Sequence, residues 1–437
     1  MDNFLPDPSL RQPSAFALLP LCLTYYALGV LAILPNTFFF RLLLQPALLW
    51  QAWWCATNVD VSEWLAQSLG LQNSDSTRIW NFPFVMGMFC LGLRSFEWTF
   101  VIKEPLRRYE LTTDQGAPTG SKKPLSISSV LLDGLDLFFN QRGIGWSWSS
   151  QPFPQWTTAP PSLPSLFASF LFRVTMFDAS QYLIQLACPA VSSSPNGGSI
   201  FDPNLNLLPR IASAAFASIC GGFWTYLLLD MVYNMTALIG RVVCRQPASH
   251  WPPISHRPWL STSLHEFWSY RWHQLFRHVF VTFGARPGGA LLGRPGALIG
   301  AFVVSAVMHF TGVWGLGSGA EFGTAGGFFL LMGLGVAMEV GFKKVTGMRV
   351  GGFFGWLWTM LWVLVWGMLM IDAWARHGML ASGMFPTQIR PGKPPVDAVV
   401  GLLNVMANRW DVGLGKLNES ALQSMIDLSS TTFFDSS

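Results

Sequence analysis

Charge is what this sequence has least of. Only 11% of its 437 residues are Asp, Glu, Lys or Arg, against roughly 25% in soluble domains, while 51% are hydrophobic and 21 are tryptophan. That balance excludes an ordinary soluble domain and points to a polytopic membrane protein. The net charge of +4 is too small and too scattered to support a nucleic-acid partner. Cysteine is also scarce. Cys22, Cys55, Cys90, Cys188, Cys220 and Cys244 lie in or beside apolar runs, with no C-x-x-C pair and no metal spacing, so they read as core thiols and imply neither a metal nor a redox compartment. A tandem repeat, a heptad, a P-loop and a G-x-S-x-G elbow are all missing, which leaves repeat architectures, P-loop nucleotide chemistry and serine hydrolysis without support.

What is present is long apolar runs. A bilayer is crossed by about 17 to 25 apolar residues, and lipid leaves the backbone no water, so such runs must be helical. Eight candidates occur near 14–34, 37–55, 80–101, 163–188, 210–240, 297–316, 325–342 and 353–374. The predicted fold class is therefore all-α, with about eight transmembrane helices in one membrane-embedded domain over 1–437. The short polar start, MDNFLPDPSLRQ, precedes a run too long and too poorly flanked for a cleaved signal, so the first span is expected to be retained. Most of the 27 lysines and arginines fall on one side of this topology. Cytosolic loops carry the basic excess, which puts 103–162, 241–296 and 343–352 in the cytosol, and 189–208 and the tail 375–437 in the lumen. Within 103–162, VLLDGLDLFFN is amphipathic and predicts an interfacial helix with Asp133 and Asp136 facing water. In the tail, VDAVVGLLNVMANRW is too short for a ninth span. Asn418, in N-E-S, is a glycosylation acceptor on the lumenal side, whereas Asn234, in N-M-T, lies within a span out of reach.

The stretch 263–309, inside a core segment 241–316, concentrates the chemistry. SLHEFWSYRWHQLFRHVF sets Glu266, Arg271, His273, Gln274 and Arg277 among Phe267, Trp268, Tyr270, Trp272 and Phe276. Helical spacing would put Glu266, Tyr270, His273 and Arg277 on one face. After a basic Gly/Pro-rich link, ALIGAFVVSAVMHFTGVW buries His309 with no charged neighbour on its own helix, leaving it the neutral imidazole that accepts a proton. An ionisable group at membrane depth is a functional candidate by default. The competing reading is a histidine that bonds a neighbouring helix and fixes packing, and the Trp, Arg and Tyr of the box equally suit interfacial anchors. Ser305, one turn before His309, either shares its cavity or satisfies a carbonyl.

These residues also carry a resemblance. FWSYRWHQLFR, Phe267 to Arg277, resembles the FWxxRWHxxFR box of the wax-synthase-like branch of the membrane-bound O-acyltransferases, as found in fungal secondary-metabolite pathways; VVSAVMH, ending at His309, resembles their intramembrane histidine helix. LFFNQRGIGWSW, from Leu137, is similar to a third segment. The likeness covers roughly 131–370, and Tyr270 departs from the pattern, where relatives often carry a small or basic residue. The resemblance implies the O-acyltransferase fold of a multi-pass protein in the endoplasmic-reticulum membrane. It implies His309 as general base, His273 as the assisting group where other branches use asparagine, and Glu266, Trp268, Arg271, Trp272, Gln274, Arg277 and Ser305 as substrate-binding residues. It further implies no bound cofactor, acetyl-CoA or another acyl-CoA as co-substrate, and acetyl transfer to a hydroxyl of a terpenoid or meroterpenoid. A long-chain wax or steryl ester synthase is the alternative within the class; a transporter or a non-catalytic scaffold is the alternative outside it, though paired interrupted helices in two halves, which a transporter predicts, are not seen.

Overall fold

The architecture is that of a computed structural model, which describes residues 10–71, 74–106, 109–111, 118–122, 126–148, 160–381, 385 and 390–409. Asn418 lies outside the described residues. In chain order the helices are α1 Leu19–Ile33, α2 Phe38–Asn58, α3 Val61–Ser68, α4 Asn81–Phe96, α5 Ile127–Phe139, α6 Leu163–Ala187, α7 Leu207–Val242, α8 Leu264–Glu266, α9 Arg277–Phe280, α10 Arg286–Gly315, α11 Phe322–Ala325, α12 Gly327–Thr346, α13 Gly352–Arg376 and α14 Lys393–Arg409. Among the described residues, strand structure is limited to a short antiparallel hairpin, β1 Tyr109–Leu111 with β2 Pro118–Lys122.

Among the described residues, six helical stretches are long and apolar enough to cross a bilayer: Phe16–Ile33, Thr77–Val101, Leu207–Val242, Arg277–Gly315, Phe322–Thr346 and Gly352–Arg376. The other two expected runs, α2 and α6, are helices of 21 and 25 residues, and their polar groups explain why they fall short in apolarity. Arg41 and Gln45 of α2 are buried. Arg41 donates to the Trp98 carbonyl, and Gln45 exchanges bonds with Ser95 and Thr99. In α6, Arg173 pairs with Asp230 of α7, and Asp178 is buried against Arg390. Satisfied inward-facing polar groups are what a helix in lipid can tolerate.

Two apolar cores share α4. One joins α1, α2 and α5 to α4 around Leu28, Leu48, Trp98, Leu137 and Trp146. The other joins α4, α6, α7, α10, α12 and α13 around Phe177, Trp224, Met308, Met332 and Trp374. The α5 helix reverses the predicted orientation. Leu131, Leu132, Leu135 and Phe139 are exposed, whereas Asp133 is buried and Asp136 accepts from Trp146 Nε1 at 2.8 Å. The acidic side turns inward, where indole and amide donors meet Asp136, and Leu131, Leu132 and Leu135 face outward. The tail is tied down in the same way: Arg390 Nε meets Asp178 at 2.9 Å and the Gly392 N–H donates to the same carboxylate at 2.8 Å, which docks α14 on α6.

The stretch that positions the site is the one expected to be a link. After α9 the chain takes a wide-pitched turn, Val281–Ala285, and enters α10, whose helical path breaks at Leu292 (φ −128°, ψ 16°) and Gly293 (φ 63°, ψ −149°). The latter conformation is open essentially to glycine alone. There the chain doubles back. A methyl group on Gly284 would lie 2.4 Å from the Gly300 carbonyl oxygen, and one on Gly288 would lie 2.1 Å from that of Gly296. The two pairs share one antiparallel register, so 277–291 and 294–315 form a helical hairpin in glycine-to-backbone contact, the close approach that small residues permit in membranes. Carried to its open end, this register sets the segment around 273–276 opposite His309.

Candidate active site

The FWSYRWHQLFR box is not the continuous helix its spacing predicts. Ser263 caps α8 by accepting from the Glu266 N–H at 3.0 Å, the turn widens over Phe267–Arg271, and Trp272 is extended (φ −70°, ψ 165°) before helix resumes at Arg277. Glu266, Tyr270, His273 and Arg277 therefore do not share one face. Glu266 instead accepts from the Thr262 N–H at 2.8 Å and from Arg271 Nε at 2.6 Å. Arg271 also donates to the His256 carbonyl at 3.3 Å, and the His256 N–H returns a bond to the Arg271 carbonyl at 2.8 Å. Gln274 is buried, its side chain on the Trp272 carbonyl at 2.9 Å and its N–H on Ile254 at 2.8 Å. Tyr270 is exposed. Glu266, Arg271 and Gln274 thus hold the irregular loop in shape.

That shape aims the aromatic residues and His273 inward. Trp272 stacks on Phe267 at 5.4 Å and 14°. Trp268 makes edge contacts with Trp272, Phe302, Phe328 and Phe329 at 6.0 to 6.2 Å. His309 stacks on the same Phe329 at 4.0 Å and 26°, so the box and the buried histidine share one aromatic wall. His273 lies against Trp272 and Phe276, at 5.5 and 5.8 Å between ring centroids. Burial, and secondarily His309, pushes the His273 imidazole down to about 3, so it is neutral at working pH.

Hydrogen bonding assigns the roles of the nitrogens. His309 Nδ1 lies 2.8 Å from the Ser305 carbonyl oxygen. A carbonyl only accepts, so Nδ1 carries the proton and Nε2 holds the lone pair. Ser305 serves through its own backbone carbonyl, a role that neither sequence reading, a hydroxyl in the cavity or a side chain satisfying a carbonyl, contains. Trp268 Nε1 and His273 Nδ1 are buried with no hydrogen-bond partner among the described residues. Buried polar groups are normally satisfied, and here two such orphans lie on one wall beside a tautomer-fixed imidazole.

Two supports were not visible in the sequence. Arg142, of the third similar segment, is buried and donates to the Pro252 and Pro253 carbonyls at 2.7 and 3.2 Å and to Tyr233 at 3.2 Å, bracing the approach to the box from within. His278 and Glu97 meet at 2.6 Å, both nearly inaccessible, where wide-pitched turns begin on α4 and follow α9. Such turns concentrate near functional sites, but an isolated Glu gives no hint of a partner 181 residues away.

Residues 251–331 match the family described as Membrane bound O-acyl transferase family, a segment that contains the box, the hairpin, His273 and His309. The chain is 26% identical to the O-mevalon transferase yanI of Aspergillus niger over 268 residues, 55% of this chain and 59% of that protein. It is 26% identical to the acetyltransferase sirH of Emericella nidulans over 290 residues, covering 60% and 65%. To the acetyltransferase aurG of Calcarisporium arbuscula it is 28% identical over 155 residues, covering 32% and 37%. The chain thus spans less than two thirds of the length of each of these relatives. In the segment that builds the site, this helical, multi-spanning chain is similar to the membrane bound O-acyl transferases.

Proposed function

We propose that the protein transfers an acyl group from an acyl-CoA thioester to a hydroxyl of a lipophilic secondary metabolite, with His309 as general base. The observation that carries this reading is the pairing of His309, its Nε2 lone pair free, with the orphan nitrogens of Trp268 and His273 across one aromatic wall. In the step, Nε2 takes the alcohol proton as the alcohol oxygen bonds to the thioester carbonyl carbon. The resulting oxyanion is met by the Trp268 N–H, a donor only, and by His273 when its proton sits on Nδ1. Collapse breaks the C–S bond, and the proton held on His309 passes to the departing thiolate. The acyl group goes directly from donor to acceptor in a ternary complex. Trp272 completes the wall, Glu266, Arg271 and Gln274 frame it, and Arg277 and Ser305 flank it.

The favoured donor is acetyl-CoA, supported by the acetyltransferase names of several relatives, and the favoured acceptor a terpenoid or meroterpenoid alcohol at the endoplasmic reticulum. A second reading has its own support, since two relatives are named O-mevalon transferases: the acyl group is then a mevalonyl. Membranes holding the protein, supplied in turn with labelled acetyl-CoA, a mevalonyl thioester and palmitoyl-CoA together with a lipophilic extract of the source organism, distinguish these. A labelled, base-labile product from acetyl-CoA supports the first reading and one from the mevalonyl thioester the second. Label from palmitoyl-CoA alone would make the protein a wax or steryl ester synthase, and no product with any donor would overturn acyl transfer.

A further inference from the structure

Among the described residues, the six stretches apolar enough to cross a bilayer carry four acidic residues, and three have a cationic or imidazole partner. Glu97 meets His278, Asp230 meets Arg173 and Asp372 meets Arg376. Glu339 differs. It is buried in α12 and accepts three N–H bonds instead: Leu264 N at 2.6 Å, His265 N at 3.0 Å and Trp358 Nε1 at 3.1 Å. Leu264 and His265 open the first turn of the box, where a helix leaves its N–H groups unpaired. A carboxylate there satisfies those donors and meets the positive end of the backbone dipoles.

The fit around this contact is close. One turn before Glu339, a methyl group on Gly335 would lie 2.4 Å from Leu264 Cδ1, so α12 is seated directly on the start of the box. Ten residues before Glu339, about 15 Å along the same helix, Phe328 and Phe329 form the wall that touches Trp268 and His309. One rigid helix therefore grips the box at its first turn and also carries the surface against which His309 and Trp268 are aligned.

We infer that Glu339 is a positioning residue of the site: its carboxylate fixes the entry of the FWSYRWHQLFR box and thereby the placement of Trp268 and His273 relative to His309. This rests on the acyl-transfer reading of that site. It predicts a loss in the rate of the chemical step with little change in donor binding, because displacing a group by about 1 Å costs up to about a hundredfold in rate. Gln keeps one acceptor oxygen but turns an NH2 towards an N–H, so Glu339→Gln should weaken the grip at nearly constant volume.

The test uses full-length protein in membranes, with Glu339→Gln, Glu339→Ala, His273→Ala, His309→Ala and the Glu339→Gln/His273→Ala double variant compared at equal protein. Labelled acetyl-CoA is the varied donor and a lipophilic extract of the source organism the acceptor. We expect Glu339→Gln to lower kcat about tenfold with the donor KM within about threefold, and Glu339→Ala to lower it further. In the His273→Ala background Glu339→Gln should cost less than it does in the wild type, since part of its effect acts through His273 and the rest through Trp268. Wild-type kcat in Glu339→Gln beside an inactive His309→Ala would overturn the inference alone. So would full multiplication of the two losses, the signature of an independent structural effect. If His309→Ala itself stayed active, the acyl-transfer reading would fail first. Should Glu339→Ala not accumulate, Glu339→Gln and the double variant still decide.

Discussion

The box and the histidine helix face each other across the site and are built on opposite principles. The arm 294–315 is regular and apolar, and its polar bonds near the site stay within the helix: His309 Nδ1 on the Ser305 carbonyl and Thr311 on the Met308 carbonyl. The box passes through helix, wide turn and extended chain within eleven residues and is held by Glu266, Arg271, Gln274 and Glu339. A base needs an unchanging tautomer in a dry setting, which a helix in lipid provides without help. Several side chains aimed at one point from a short stretch need an irregular backbone, and an irregular backbone away from water survives only when protein groups satisfy it. The hairpin glycines then bring the two designs into contact.

Breaking that contact should have the largest effect. Gly300→Leu places a side chain where the backbone of the other arm lies, so the arms must separate. Transfer should fall below detection per unit of protein, and circular dichroism of the purified variant should show whether helix content survives. Next comes the box itself. His273→Ala should lower kcat by up to about a hundredfold, the scale of losing one oxyanion donor, while His273→Asn, which keeps an N–H, retains measurable turnover; equal losses in steady-state assays would remove His273 from that role. Arg142→Ala deletes bonds to Pro252 and Pro253 outside the wall, so its cost should be smaller and fall on thermal stability in detergent as well as on rate.

The smallest expected effect is on pH dependence. His273 is neutral when folded, with its pKa lowered to about 3, but would bind a proton when unfolded below about 6.5. The unfolded state therefore takes up more protons between those values, and stability should fall as pH drops from about 6.5 towards 3. Thermal midpoints against pH should show that fall in the wild type and a shallower one in His273→Asn. Identical slopes would mean that His273 is not buried as described.

The sequence was legible where one physical signal dominated. Apolar runs located the helices, and the lone histidine in such a run and the FWSYRWHQLFR box, both singled out by their residue types, meet on one aromatic wall. It misled where long-range contacts overrode local pattern. The ARPGGALLGRPG stretch reads as a loop from its Gly and Pro content, yet those glycines are there for backbone approach between two arms. Asp133 and Asp136 look like the wet side of an interfacial helix, yet Asp133 is buried and Asp136 finds its indole donor inside the protein. Glu339 was overlooked because a single acid in an apolar helix acquires meaning only when the amides it caps, 75 and 74 residues earlier, are placed beside it.

The central claim is that the lone pair on His309 Nε2 removes the acceptor's proton. The most direct measurement compares acyl transfer by wild type and His309→Ala in the same membranes at equal protein and saturating acyl-CoA. General-base assistance is worth roughly 10² to 10⁴ in rate, so His309→Ala should fall by that factor while binding of acyl-CoA persists. Turnover within a few-fold of wild type would contradict the account.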